Sequence, residues 1–292
     1  MSKVPDIVTP PPGPKSRAMM EKRNDLVPPG VYLVQPITIA ESKGATMRDV
    51  DGNTYIDFTS GIGVTSLGHC VDEIVQTISD QAAKLIHSCI HVVNYEPYLN
   101  LAKRLTEVTP GGFKKRAIML NSGSEAVENA VKIVRQHTGR PGIISFENSF
   151  HGRTYMAMTL TGKWDPYKVG FGPFTPGVYH TPFAYCYRCS FHLEHPGCGL
   201  ACVHHIEKSI LKTQVPPGEV AAVISEPIQG EGGFIDPPPD FFRELKGICD
   251  EHGIQLIIDE IQTGFARTGK MWAIEHYGVE PDVLVMAKAI AS

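Results

Sequence analysis

Asp259 and Lys288 each close a short apolar run, in Ile254-Gln255-Leu256-Ile257-Ile258-Asp259 and in Pro281-Asp282-Val283-Leu284-Val285-Met286-Ala287-Lys288. Runs of this kind, rich in β-branched residues, read as parallel strands buried on both faces. The segment between them, Arg267 to Gly278, is of helix length and predicts a βαβ unit. Its right-handed crossover puts both strand ends on one edge of the sheet, the edge where open α/β sheets bind ligands. A carboxylate and an amine meeting there suit pyridoxal phosphate, whose aldehyde condenses with a lysine while an acid pairs with the pyridine nitrogen. Taken singly, either charge is also an ordinary surface end to a strand.

Three more stretches offer chemistry at strand ends. Asn121-Ser122-Gly123-Ser124-Glu125-Ala126 opens a helix whose Ala126, Val127, Ala130, Val131 and Val134 share a face. Free N–H groups at such a start bind phosphate, and a serine there also serves as a plain N-cap. Ser149-Phe150-His151-Gly152-Arg153-Thr154 supplies an aromatic ring to stack on a flat cofactor and an arginine whose planar fork matches a carboxylate. The same residues also make an unremarkable loop. Ser225-Glu226-Pro227-Ile228-Gln229-Gly230-Glu231-Gly232-Gly233 sets two acids among glycines, either solvated or facing a pocket.

These stretches need a scaffold, and from Arg116 onward the pattern alternates strand and helix. Strands are predicted at 117–120, 142–146, 220–225, 254–258 and 283–286. Helices are predicted at 125–137, 204–213 and 240–252, and within 267–278. Such alternation means an α/β fold with a mainly parallel sheet. Before it come a proline-rich start, a strand over 31–40, a hairpin about Asp51-Gly52-Asn53, and helices from Asp72 and Pro97. A boundary is placed near residue 70. Gly61-Ile62-Gly63 lacks the G-x-G-x-x-G spacing and is not read as a dinucleotide loop.

At 292 residues, 42% hydrophobic and 20% charged, the chain has the composition of a globular enzyme. A formal net charge of −4 leaves no electrostatic footprint for nucleic acid. No apolar stretch approaches the roughly 20 residues that span a bilayer, and the first residues hold no apolar signal core. The expected location is the cytoplasm. Four of seven cysteines cluster as Cys186-x2-Cys189-x8-Cys198-x3-Cys202, with His192, His195, His204 and His205 nearby. Two thiol pairs can hold zinc. The x8 gap is short for two knuckles, and the expectation is a metal-free segment dispensable for chemistry.

In combination, Gly123-Ser124-Glu125-Ala126-Val127-Glu128-Asn129-Ala130, Phe150-His151-Gly152-Arg153-Thr154, Glu226 to Gly233, Asp259 to Gly264 and Arg267-Thr268-Gly269 resemble the class III pyridoxal-phosphate aminotransferases, in their 4-aminobutyrate branch, from about Val31 onward. The resemblance implies the type I fold of pyridoxal-phosphate-dependent transferases: α/β, mainly parallel sheet flanked by helices, with the N-terminal part of a small α+β domain. It divides the chain into a mobile lead-in (1–30), the small-domain part (31–70) and the cofactor-binding large domain (71–292).

By the same resemblance, Gly123 and Ser124 would hold the phosphate, Phe150 would stack on the ring with His151 beside it, and Ile261 would pack behind it. Asp259 would keep the ring nitrogen protonated. Gln262 would contact the ring hydroxyl, with Glu231 near it. Lys288 would carry the cofactor and move the proton. Ile62 would line the substrate pocket, Arg153 would take a distal carboxylate, and Glu226 would be the gating acid. The implied reaction moves an amino group from a 4-aminobutyrate-like ω-amino acid to a 2-oxo acid, 2-oxoglutarate, in a homodimer. Amino-acid racemisation with the same cofactor and a non-catalytic fragment are the alternatives. Relatives of this kind continue well past Lys288, and the sequence is expected to be a fragment without effective transaminase activity.

Overall fold

The computed structural model of the chain describes residues 4–291. It divides into two compact units, one formed by the chain up to Val93 and one by Asn94–Ile290.

In the first unit, β1 (Ile39–Lys43), β2 (Thr46–Asp49) and β3 (Thr54–Ile56) form an antiparallel meander. The hairpin expected at Asp51-Gly52-Asn53 joins β2 to β3, with Gly52 at φ 95°. Its Asp49 carboxylate accepts the N–H groups of Asp51 and Asn53, the Asn53 amide and the Tyr55 hydroxyl. Burial pushes this carboxyl up, but those donors outweigh it and hold its pKa below the ordinary value. Two expectations change here. The proline-rich start contains helix α1 (Pro14–Leu26), opened by a proline at its first position and tied down where the Lys15 and Ser16 N–H groups donate to Asp51. The strand expected over 31–40 begins only at Ile39, past Pro36, which cannot donate to a ladder. Helix α2 (Asp72–Lys84) follows.

The second unit is built on a five-stranded, wholly parallel sheet, ordered β5-β4-β6-β7-β8. Its strands are β4 (Gly142–Phe146), β5 (Val178–Thr181), β6 (Val220–Ser225), β7 (Gln255–Asp259) and β8 (Val283–Val285). Every residue of β4 and β6 is buried, as continuous apolar runs in a covered sheet require. Alternate residues face opposite sides. Ile143, Ala222, Ile224 and Ile257 pack with Val127, Val131 and Val134 of α4 (Gly123–Thr138). Ile144, Phe146, Val223, Leu256 and Ile258 pack with Phe241, Phe242 and Leu245 of α7 (Phe241–His252). Each of the valine, leucine, isoleucine and phenylalanine side chains contributes about 1.5–3 kcal/mol by leaving water. The remaining helices are α3 (Glu96–Val108), α5 (Tyr155–Leu160) and α6 (Ala201–His205), which runs on into a wider-turned stretch to Gln214.

Two elements differ from expectation. Residues 117–120 form no strand, and the Met119 N–H donates to the Tyr98 hydroxyl instead. The crossover at 267–278 is a series of turns with one short 3-10 turn, Ala273–His276, in place of a helix. Buried Glu260 takes the Ile274 N–H at 2.8 Å and Trp272 is wholly buried, so tertiary contacts fix this segment where Gly269 and Gly278, both at positive φ, interrupt a helix.

Candidate active site

The carboxyl edge of the sheet gathers the chemistry. Asp259 is the last residue of β7, paired in register with Val285 of β8, and Lys288 follows three residues further on. Phe150 and His151 leave β4, and Glu226 leaves β6 directly. His151 Nδ1 lies 2.8 Å from Asp259 Oδ2, and both side chains are buried. The other Asp259 oxygen accepts the Ile261 N–H at 3.1 Å. The Thr161 hydroxyl accepts the His151 N–H at 3.0 Å, fixing the backbone that carries the imidazole. Its Nε2 is buried and without a hydrogen-bond partner among the described residues, an orphan polar atom that a bound ligand would satisfy.

Lys288 is half-buried, at φ 51°. Burial lowers its amine pKa below the ordinary lysine value, while the carboxylates of Asp259, Glu231 and Glu226 pull the other way and Arg267 adds to the lowering. Its amine therefore shares one electrostatic neighbourhood with all three acids. Glu226 is almost fully enclosed, 6% exposed, and burial pushes its carboxyl up to about 7, with His151 opposing and Asp259 reinforcing the shift. It accepts the N–H groups of Phe150 and Gly230 at 3.0 and 3.2 Å, which locks the loop after β4 to the loop after β6.

Two glycines mark close approaches. At Gly123, the first residue of α4, a Cβ would stand 2.9 Å from Ile261 Cδ1. At Gly152 (φ 130°) a Cβ would meet Ser124 Oγ at 2.1 Å. This room lets Ser124 Oγ accept the Arg153 N–H at 2.9 Å and leaves its hydroxyl proton to donate outward. Helix α4 starts beneath it, capped by Ser122, whose Oγ accepts the Glu125 N–H. Glu231 accepts the Tyr167 hydroxyl at 2.6 Å, and that phenol is pushed up to about 12, by burial first and then by the acid. The Phe150 ring packs on Tyr167 with centroids 4.6 Å apart. Gln262 lies over Gly230, where a Cβ would touch its Oε1.

The second unit thus brings together Gly123, Ser124, Phe150, His151, Glu226, Glu231, Asp259, Ile261, Gln262 and Lys288 along one edge. Arg153 stands beside them with its side chain exposed. Ile62 belongs to the first unit, where it is 69% exposed at φ 64°. Thr161 and Tyr167 were not singled out in the sequence. Each acts through a hydrogen bond to a residue elsewhere in the chain, His151 and Glu231 respectively.

The set fits pyridoxal phosphate. It offers an amine of lowered proton affinity for the aldehyde, a buried acid for the ring nitrogen, a helix start for the phosphate, an aromatic face, and space kept open by glycines. A sheet-edge lysine and acid in a parallel α/β unit suit a pyridoxal-phosphate site, and the chain belongs to the class-III aminotransferase family, whose model matches residues 30–292. It is 42% identical to the 4-aminobutyrate aminotransferase of Mycobacterium leprae over 98% of this chain and 64% of that protein. Likewise it is 41% identical to the 5-aminovalerate aminotransferase DavT of Pseudomonas putida, over 94% of this chain and 63% of that one. Among solved structures, the taurine:2-oxoglutarate aminotransferase of Bifidobacterium kashiwanohense, in complex with PLP and glutamate, superimposes with a TM-score of 0.85 at 30% identity, covering 94% of this chain and 62% of that one. The chain therefore spans somewhat less than two thirds of the length of these relatives.

Proposed function

We propose that the protein transfers an amino group from an ω-amino acid of the 4-aminobutyrate class to 2-oxoglutarate, using pyridoxal phosphate held by Lys288. The observation that carries this reading is the meeting of Lys288, its proton affinity lowered, with the buried His151–Asp259 pair at one sheet edge. The names of the relatives, which act on 4-aminobutyrate or 5-aminovalerate, support the choice of donor. The acceptor rests on the resemblance and on the relative named for 2-oxoglutarate. A homodimer in the cytoplasm is part of the same proposal.

When bound, the cofactor supplies an electron sink next to the carbon that bears the amino group. The chain's own residues do the rest. Asp259, oriented by His151 and the Ile261 N–H, would hold the proton on the ring nitrogen, since a buried carboxylate favours a cation beside it. Gly123 and Ser124 at the start of α4 would hold the phosphate, with Phe150 and Ile261 against the two ring faces and Gln262 and Glu231 on the hydroxyl side. Lys288 Nζ, deprotonated more readily than an exposed lysine, would take the proton from the amino-bearing carbon and return it. The exposed Arg153 guanidinium would clamp the distal carboxylate of the donor.

The test is a comparison of donors in the holoenzyme with 2-oxoglutarate as acceptor, following glutamate. Four- and five-carbon ω-amino acids are expected to react well. Arg153→Met should raise KM for them at least about tenfold, the scale of one lost charge-assisted contact, while sparing simple amines that lack the distal carboxylate. Preference for α-amino acids alone, or equal loss on both donor classes, would overturn the reading.

A further inference from the structure

We propose that Cys186, Cys189, Cys198 and Cys202 form a single tetrathiolate site for one zinc ion that pins the segment between β5 and α6. All four cysteines line one pocket, together with His195. None of the catalytic-edge residues lines it. The cysteines are free thiols.

The backbone explains the convergence. Each cysteine pair is folded about turns. Arg188 and His192 donate to the Tyr185 and Cys189 carbonyls at 3.0 and 3.1 Å, and Cys198 and Ala201 donate to Glu194 and Cys198 at 2.8 and 3.2 Å. The short x8 connection, too tight for two separate knuckles, instead doubles back so that both pairs reach one pocket. His192 and Leu200 hold left-handed φ values of 55° and 51°, conformations that cost a non-glycine residue energy unless something over-determines them. Packing holds the two ends of the segment more than its middle: Phe183 and Ala184 are buried in the core and Tyr185, Leu200 and Cys202 lean on it, while Tyr187 and Leu193 are exposed.

A dication would supply what the packing does not. Zinc takes four thiolates in a tetrahedron at about 2.3 Å and lowers thiol pKa values enough to deprotonate them. The balance is simple: four S–H protons go to solvent, four Zn–S bonds form, and no electron moves. The thiols stand wider than ligand distance, since among the described residues the metal-capable atoms that converge within 4.8 Å belong to Glu207, Glu251 and His252. Glu207 is already engaged there with His204 and His252. Gathering the thiols requires side-chain rotation and small loop shifts, which a segment held by turns permits.

The experiment uses holoenzyme purified without chelator or histidine tag. Metal analysis should find about one zinc per chain, the stoichiometry of one closed structural site. A mercurial titrated into the native protein should release that zinc as four thiols react. Protein loaded with cobalt(II) should show a thiolate-to-metal charge-transfer band. Cys186→Ser and Cys198→Ser should each lose the metal and admit protease between 182 and 200, while the cofactor's absorption is kept. Cys70→Ser, at an exposed thiol elsewhere, should change none of this. Because metal analysis and cobalt loading read the unmutated protein, misfolding of a variant does not shelter the proposal. Four free thiols without stoichiometric zinc, disulfides between these cysteines, or zinc retained when both Cys186 and Cys198 are serine would each overturn it.

Discussion

His151 Nδ1 and Asp259 Oδ2 stand 2.8 Å apart with both side chains shut away from solvent. Neither residue is near the other in sequence, and their contact joins the loop after β4 to the end of β7 across the strand between them. Behind it the Thr161 hydroxyl fixes the His151 backbone, and to one side lies Glu226, bonded to the same loop.

Asp259→Asn keeps the shape of the side chain and removes its charge, so a ring nitrogen beside it would lose its proton-holding partner. Turnover of the holoenzyme should fall by about a hundredfold or more, the scale of deleting one preorganised electrostatic group. Cofactor affinity should fall modestly, because the phosphate contacts at Gly123 and Ser124 remain. Rapid-mixing kinetics on the reconstituted variant give the answer, and unchanged turnover would count against Asp259 as the ring partner.

Glu226 predicts a pH signature. Its folded-state pKa is raised from 4.5 to about 7, so the folded protein binds this proton more tightly than the unfolded chain. The stabilisation is fully present below the unfolded value and is lost as pH rises through about 7. Relative to the wild type, Glu226→Gln should therefore gain stability between pH 4.5 and 7, by up to roughly 3 kcal/mol. Denaturant unfolding of both proteins across this range measures it. A difference that stays flat with pH would contradict the raised proton affinity.

Gly152 is predicted to tolerate no side chain. A Cβ there meets Ser124 Oγ at 2.1 Å, on a backbone at φ 130°. Gly152→Ala should cost about 1–3 kcal/mol in strain and weaken cofactor binding by displacing Ser124. Gly218→Ala is the control, with nothing within 4 Å of the added carbon, and it should be close to neutral. Thermal melts with and without cofactor separate the two effects. Equal behaviour of the two variants would show that the Gly152–Ser124 approach is not a constraint.

Part of this edge was legible in the sequence because Asp259 closes, and Glu226 directly follows, a largely buried apolar run, and a parallel sheet puts such strand ends on one edge. The stacking loop and the helix start were legible for the same reason. What escaped depends on long-range contacts. The Tyr167 bond to Glu231 and the Thr161 bond to His151 leave no periodic trace. The segment 267–278 has helical length, yet the wholly buried Trp272 and the grip of Glu260 on Ile274 override its propensity. Residues 117–120 have a strand's composition, while the Tyr98 hydroxyl takes the Met119 N–H. The cysteine spacing is short for two knuckles and predicts a metal-free segment, and the sharing of one pocket by all four cysteines shows only in the fold.

Reductive trapping reads out whether Lys288 carries the cofactor. Holoenzyme is treated with borohydride, digested, and the modified peptide sequenced by mass spectrometry. The label is expected on the peptide containing Lys288, and Lys288→Ala should abolish it along with the visible absorption of the bound cofactor. The competitor is Lys168, a buried lysine whose pKa burial also lowers, but whose amine already donates to the Thr159 and Thr161 carbonyls. Label on Lys168, or on Lys270 at the surface, would contradict the account.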